Sequence, residues 1–243
     1  MTIDQFISRS QQVETEQQLF NLLIDEIGHY GFDTAMFNLH TDHYALGLPA
    51  KNMALKHTNS VDALWQENFC ASKYDDLDPF RSHCFYGQGV LSLEDMRTTM
   101  SLTAAQIKFL QATEAAGFHN RLTVALRGGS GAVAGLDIGV STKLRPLDRS
   151  TFHMIHVLGQ HFYQRYWQLK KSEVEQPWLT LTGKEREVLE WSAKGFTKAE
   201  IGARLHISSH TVDYHSRKLA RKLGARNITA AAVTALNRGL IHV

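Results

Sequence analysis

Apolar residues recur every three to four positions early in the chain, at Phe20, Leu23, Ile24 and Ile27, then give way to alternation in FDTAMFNLH beyond Gly28 and Gly31. The first spacing lines one face of a helix and the second one face of a strand, so a helix is expected to hand over to a sheet. VDALWQENFC and LTAAQIKFLQATEAA return to helical spacing, and VLSL is a short apolar run. LTVALR and AVAGLDIGVS are strand-like stretches joined by GGSG, the pattern of a hairpin. From Thr151 a long helix keeps its three-four period through Phe152, Ile155, Leu158, Phe162, Tyr166 and Leu169, with Asp148 or Ser150 as candidate cap. Helices flanking an antiparallel sheet make this part an α+β domain over residues 1–170.

Residues 166–181, YWQLKKSEVEQPWLTL, pass from a helical ending through charge and a proline into a fresh helical pattern, which places a linker at 171–180. Residues 181–243 then read as a small all-α domain. Thr182 with Glu185, and Thr197 with Glu200, form two capping boxes, each opening a helix. Gly195 ends the first of them, and HISS makes the turn into a third helix from about Ser209 to Leu223. On that third helix Val212, Leu219 and Leu223 face inward with Ser216 beside them, leaving His210, Asp213, Tyr214, Arg217, Lys218 and Arg221 outward.

Charge sharpens this division. The whole chain carries only +2, but residues 176–243 hold 11 Lys/Arg against 5 Asp/Glu, and residues 1–175 hold 15 against 19. A basic tail behind an acidic body points to a polyanion as the partner of the C-terminal part. Polar side chains early on the third helix and cations later match what major-groove reading requires of a helix. Thr197, Lys198, Ser208, Ser209 and Thr211 suit phosphate contacts through hydroxyl, ammonium and helix-start amides.

Composition excludes more than it selects. With 243 residues, 43% hydrophobic, 4 Pro and 2 Cys, the chain is neither collagenous nor a disulfide scaffold. No apolar window reaches membrane length and the opening MTIDQFISRSQQVETEQQ is too polar for a signal peptide, so a cytoplasmic protein without a membrane partner is expected. RGGSGAVAG leads into strand-like sequence rather than a helix, which makes it a turn and not a phosphate loop. His153, His156 and His161 share one helix, but no spaced Cys, Glu or third ligand completes a metal set, and no metal or cofactor is expected. A phosphate receiver is excluded by the element order and by Asp75 and Asp76 following a helix. No Ser-His-Asp or metal constellation appears at motif level, so the chain is read as a non-enzyme, with a hydrolase of a small signal as the rival from another class.

EREVLEW, Gly195, Thr197, EIGARLHIS, Thr211-Val212, His215 and KLGARN closely resemble the LuxR-type helix-turn-helix. The resemblance implies a four-helix DNA-binding domain whose last helix, ITAAAVTALNRGLI, offers a small-residue face for pairing two copies. Its implied partners are double-stranded DNA with a two-fold symmetric operator and a second copy of the chain, with RNA polymerase a further candidate. Asp213 stands where the family often has Lys or Arg, and would accept from a cytosine amino group or repel a phosphate.

The first 170 residues resemble the autoinducer-binding domain of quorum-sensing LuxR-type regulators, an α-β-α sandwich enclosing an acyl-homoserine lactone. Trp65, Phe69 and Asp78-Pro79 follow the W-x3-Y-x8-DP pattern, and Gly117 lies in AAGF. By this resemblance Trp65 donates to a lactone carbonyl and Asp78 accepts the amide N–H. The departures are Phe69 and Val61 for two tyrosines, Leu91 at or near a pocket Trp, Arg121 for a Gly, and Asp137 for a Ser or Thr. An Arg121–Asp137 pair would change the hydrogen-bond demands of the pocket. The expectation is therefore a small-molecule sensor controlling dimeric operator binding, with a ligand-independent or non-lactone solo regulator as the alternative.

Overall fold

The computed structural model describes residues 3–43, 48–57, 77–141, 148–173 and 180–242. These fall into two compact units, one built on residues 1–128 and 132–174 and the other on residues 129–131 and 175–243.

The first unit opens with α1 (Ile3–Ser10) and α2 (Glu16–Gly28), followed by β1 (Thr34–Leu39) and β2 (Lys51–His57). Next come α3 (Pro79–Tyr86), β3 (Val90–Ser92), α4 (Leu93–Thr99) and α5 (Ala104–Ala115). The hairpin β4 (His119–Arg127) and β5 (Val133–Val140), then α6 (Arg149–Glu173), complete the unit. The five strands form one antiparallel sheet in the order β2-β1-β5-β4-β3. GGSG makes the expected turn between β4 and β5. VDALWQENFC lies outside the described residues.

Side-chain alternation assigns the two faces of this sheet. Phe37, Leu122, Val124, Leu136 and Ile138 point to one face and pack with Phe6, Leu19, Leu23, Ile155 and Phe162 of α1, α2 and α6. Met36 points to the other and packs with Phe80, Met96, Phe109 and Phe118 around α3, α4 and α5. The unit is thus a three-layer α-β-α sandwich. Every residue of β1 and β5 is buried, so any polar side chain there needs a partner inside the protein.

Two elements differ from the sequence reading. α6 runs to Glu173, so the first three residues of the expected linker are helical. Lys170 and Lys171 in its last turn complement the negative end of the helix dipole. α1 is a helix that its largely polar sequence does not announce. Its C-terminal end is held by Arg165, whose guanidinium donates to the carbonyls of Ser10 at 2.9 Å and Val13 at 3.0 Å.

The second unit contains α7 (Gly183–Ala193), α8 (Lys198–Leu205), α9 (Ser209–Lys222) and α10 (Ile228–Asn237). Both capping boxes form, at Thr182 with Glu185 and Thr197 with Glu200, and Ser208 caps α9. Val188, Leu189, Ile201, Val212, Leu219 and Leu223 make the core. At Gly202 a Cβ would lie 2.7 Å from the Ile207 carbonyl, so the close return of the chain between α8 and α9 needs glycine there. Ala231, Ala232 and Ala235 of α10 are buried in the same core. Thr229 and Val233 of the helix are exposed and Ala230 and Thr234 half-buried, so the outward side of α10 still carries small residues.

Candidate functional site

Strand register brings Met36, Asp137 and Thr123 side by side across the three central strands, and Arg121 lies two residues before Thr123 on the same face. Over this row sits the start of α3, where Asp78 is the N-cap and Pro79 follows in the first turn. Asp78 Oδ1 accepts from the Phe80 N–H at 3.0 Å. Arg121 Nη2 donates to Asp78 Oδ2 at 2.7 Å and to Asp137 Oδ1 at 2.9 Å, while Nε donates to Asp137 at 3.1 Å. Asn38 Nδ2 donates to Asp137 Oδ2 at 2.7 Å, and the Thr123 hydroxyl donates to Asp137 Oδ1. The guanidinium also lies over the Phe80 ring, 4.2 Å from its centre.

All three charged groups are buried, Arg121 to 2% exposure, and together they carry one negative charge in excess. Burial pushes the Asp78 carboxyl up, with Arg121 pulling it down and Asp137 adding to the rise. Burial works against the charge on Arg121, but Asp137 and Asp78 outweigh it and hold the guanidinium above its ordinary value. Nearby, Cys84 and His40 close on Gly135, where a Cβ would be 2.8 Å from Cys84 Sγ and 2.7 Å from His40 Nε2. Burial raises the Cys84 thiol well above its ordinary value, as expected of a packing residue.

On the second unit, α9 presents His210, Arg217, Lys218, Arg221 and Tyr214 to solvent, the last at 60% exposure. Val212, Ser216 and Leu219 hold its opposite side in the core. The hydroxyls near the helix starts have local duties. Thr197 Oγ1 donates to Glu200 Oε2 at 2.7 Å, and Ser208 Oγ accepts from the Thr211 N–H at 3.0 Å and bonds to the Thr211 hydroxyl at 2.8 Å. Lys218 Nζ lies 3.0 Å from Glu185 Oε1. Asp213 accepts from Lys198 and from Arg217.

A family model of the autoinducer binding domain matches residues 15–166, and a model of bacterial regulatory proteins of the luxR family matches residues 179–235. The chain belongs to the LuxR family. It is a LuxR-family transcriptional regulator with an autoinducer-binding domain and a helix-turn-helix. Among LuxR-family relatives, the transcriptional activator protein BjaR1 of Bradyrhizobium diazoefficiens is 25% identical over 226 residues, 91% of this chain and 88% of BjaR1. SolR of Ralstonia nicotianae is 27% identical over 240 residues, 94% of each chain. The crystal structure of Escherichia coli SdiA shares the fold with a TM-score of 0.74 over 99% of this chain and 98% of SdiA, at 21% identity. SdiA in complex with octanoyl-rac-glycerol gives 0.73 over 99% and 96%, also at 21% identity.

Of the residues singled out in this LuxR-family chain, the structure joins Asp78, Arg121 and Asp137. It places Leu91 half-buried on β3, paired with Thr123 and packed beside the Phe80–Phe118 cluster. Val61, Trp65 and Phe69 lie outside the described residues. Asn38, Thr123, Phe80 and Phe118 are members of the site that sequence reasoning missed. The signal for Asn38 and Thr123 is a polar residue in an otherwise apolar strand, which requires an internal partner.

Glu185 is a further buried acid, and it has an acid-range consequence. Its carboxylate completes the Thr182 box at 3.0 Å and accepts from Lys222 Nζ at 2.8 Å. Burial would raise it, but the bonds from Lys222, Thr182 and Lys218 outweigh that and bring it down to about 2. A depressed carboxylate contributes stability above its unfolded value that is lost as pH falls through the folded one. The second unit is therefore expected to lose this contribution between about pH 4.5 and about 2. Glu185→Gln, which keeps the box but not the charge, is expected to cost about 1–2 kcal/mol at neutral pH and to flatten the acid limb of a melting-temperature profile. An unchanged acid limb would show that the two lysines contribute nothing.

Proposed function

We propose that the N-terminal unit is a small-molecule sensor whose state controls how a homodimer presents two copies of α9 to a two-fold symmetric operator. In this reading α9 enters the major groove, with His210 and Tyr214 toward base edges and Arg217 and Arg221 toward phosphates. The observation that carries it is the division of α9, a 14-residue helix with a buried apolar side and an exposed polar and cationic side, behind the short capped helix α8. Two such helices in successive grooves stand ~34 Å apart, a spacing the dimer has to set.

The Arg121 cluster favours the second reading, a signal other than an acyl-homoserine lactone or none. Asp78, the residue the family pattern would give to the ligand amide, already accepts from Phe80 N–H and from two guanidinium nitrogens. An amide N–H would have to compete with a buried, bidentate cation. That SdiA has been solved with octanoyl-rac-glycerol, which has no lactone, supports a lipid-like signal of another class in this fold.

Native mass spectra of the full-length chain, purified from cells that make no lactone and then mixed with acyl-homoserine lactones, test both readings. One lactone mass per subunit on a dimer supports the lactone-sensing reading and rejects the second. A folded dimer that stays empty, or carries another metabolite, supports the second. A chain that stays monomeric throughout, also on DNA, overturns the dimeric operator reading.

A further inference from the structure

Asp213 sits one turn into α9, on its DNA-facing side, yet its carboxylate is turned inward between two cations. Lys198 of the first turn of α8 donates to Oδ1, and Arg217, one turn further along α9, donates to Oδ2 through Nε at 2.8 Å and through Nη2. The acid is the inner member of the trio, its side chain 21% exposed against 52% for Lys198 and 72% for Arg217. The bonds from Lys198 and Arg217 hold it down to about 2, so it stays ionised at any working pH.

The trio therefore presents one net positive charge instead of two where a polyanion would approach, and it spans both helices of the helix-turn-helix. Arg217 is held to the helix by two bonds to one oxygen, Asp213 Oδ2, while its side chain stays exposed. Arg221, one turn further on, makes no ion pair among the described residues. The arrangement is exposed, and exposed pairs open readily when a better partner arrives. A carboxylate deprived of both cations in a groove lined by phosphates needs a donor. In the major groove that donor is an exocyclic amino group, above all that of cytosine.

We propose, resting on the DNA-binding reading above, that Asp213 is a specificity-determining clamp. It withholds Lys198 and Arg217 from the phosphates of arbitrary sequence and releases them on a duplex that offers Asp213 an exocyclic amino group in exchange. Non-specific binding depends on cations meeting phosphates, so a residue that engages two of them lowers it selectively.

The test is a salt titration of the full-length chain on a random-sequence duplex and on a duplex selected in vitro with the unaltered chain. Asp213→Asn keeps the shape and loses the charge, and Asp213→Ala guards against an effect particular to the amide. Arg221→Ala reports on the DNA face itself. Both Asp213 variants are expected to bind random DNA roughly three- to tenfold tighter, with a slope of log affinity against log salt steeper by about 0.9 for each further phosphate neutralised. The ratio of selected to random affinity falls, and selection repeated with Asp213→Asn loses a fixed cytosine or adenine. If random-sequence affinity and salt slope stay unchanged while Arg221→Ala weakens binding, the clamp is overturned and the DNA reading stands. Tighter random binding with an unchanged ratio overturns the specificity role. Arg221→Ala without effect on any duplex overturns the DNA face instead.

Discussion

Arg121→Ala is expected to destabilise the N-terminal unit by roughly 3–5 kcal/mol, the cost of leaving buried charge without its partner. Both carboxylates of the cluster are buried, and Arg121 is the cation that bridges them. Without it Asp78 and Asp137 face each other's charge in a site water does not reach, and one must take up a proton. The stacking over Phe80 is lost as well, leaving a void under α3. In calorimetry of the full-length chain the transition of this unit should fall by about 10 °C.

Asp78→Asn is the informative contrast. Burial favours the neutral form of Asp78 in the folded protein, so an amide, which still accepts from the Phe80 N–H, removes a charge the fold bears at a cost. The remaining Arg121–Asp137 pair is neutral overall. We expect a loss of at most about 1–2 kcal/mol, well below that of Arg121→Ala. Equal losses for the two variants would mean that the cluster is not short of positive charge. A melting temperature of Arg121→Ala close to that of the unaltered chain would mean that water or a ligand, not Arg121, satisfies the two acids.

The double change Arg217→Ala with Arg221→Ala is expected to weaken binding to both duplexes, by roughly 10²-fold on the selected duplex near physiological salt and by less on random sequence. Phosphate contacts position a protein without reading sequence, so the share of Arg221 should be uniform, while Arg217, which Asp213 releases only on the selected duplex, adds to the loss there. On a dimer four cations are removed, and the slope of log affinity against log salt should fall by ~0.9 for each phosphate left without its cation. On random sequence Arg221→Ala should account for the larger share, because Arg217 is engaged there by Asp213. Both arginines are exposed, so the thermal transitions should stay in place. Unchanged affinity in the double variant would move the DNA-binding surface away from α9.

Several expectations rest on interactions only a few residues long, and these are the legible ones. Thr182 and Thr197 meet their glutamates three residues on, the β4–β5 hairpin closes over GGSG, and the three-four period of α6 buries Ile155, Leu158, Phe162 and Tyr166. Short helices are harder, because seven or eight residues give too few apolar repeats to register a period. α3 carries a start signal in Asp78-Pro79, which as a family motif also reads as a ligand carboxylate; the structure shows the capping role. The Arg121–Asp137 pair is anticipated from two residues on neighbouring strands, but its third member is not, since Asp78 is 43 residues from Arg121 along the chain.

The chain's periodicity and caps alone determined two domains, an antiparallel sheet between helices and a helix-turn-helix whose second helix has its polar and cationic side outward. Those features follow from backbone geometry and from contacts within one or two turns, whose energies depend on residues close in sequence. Only the tertiary structure decided what the charged groups do. It gave Asp78 to Arg121 rather than leaving it open, and turned Asp213 toward Lys198 of another helix. The energy of a charge is set by the solvent it loses and the partner it meets, and packing supplies both.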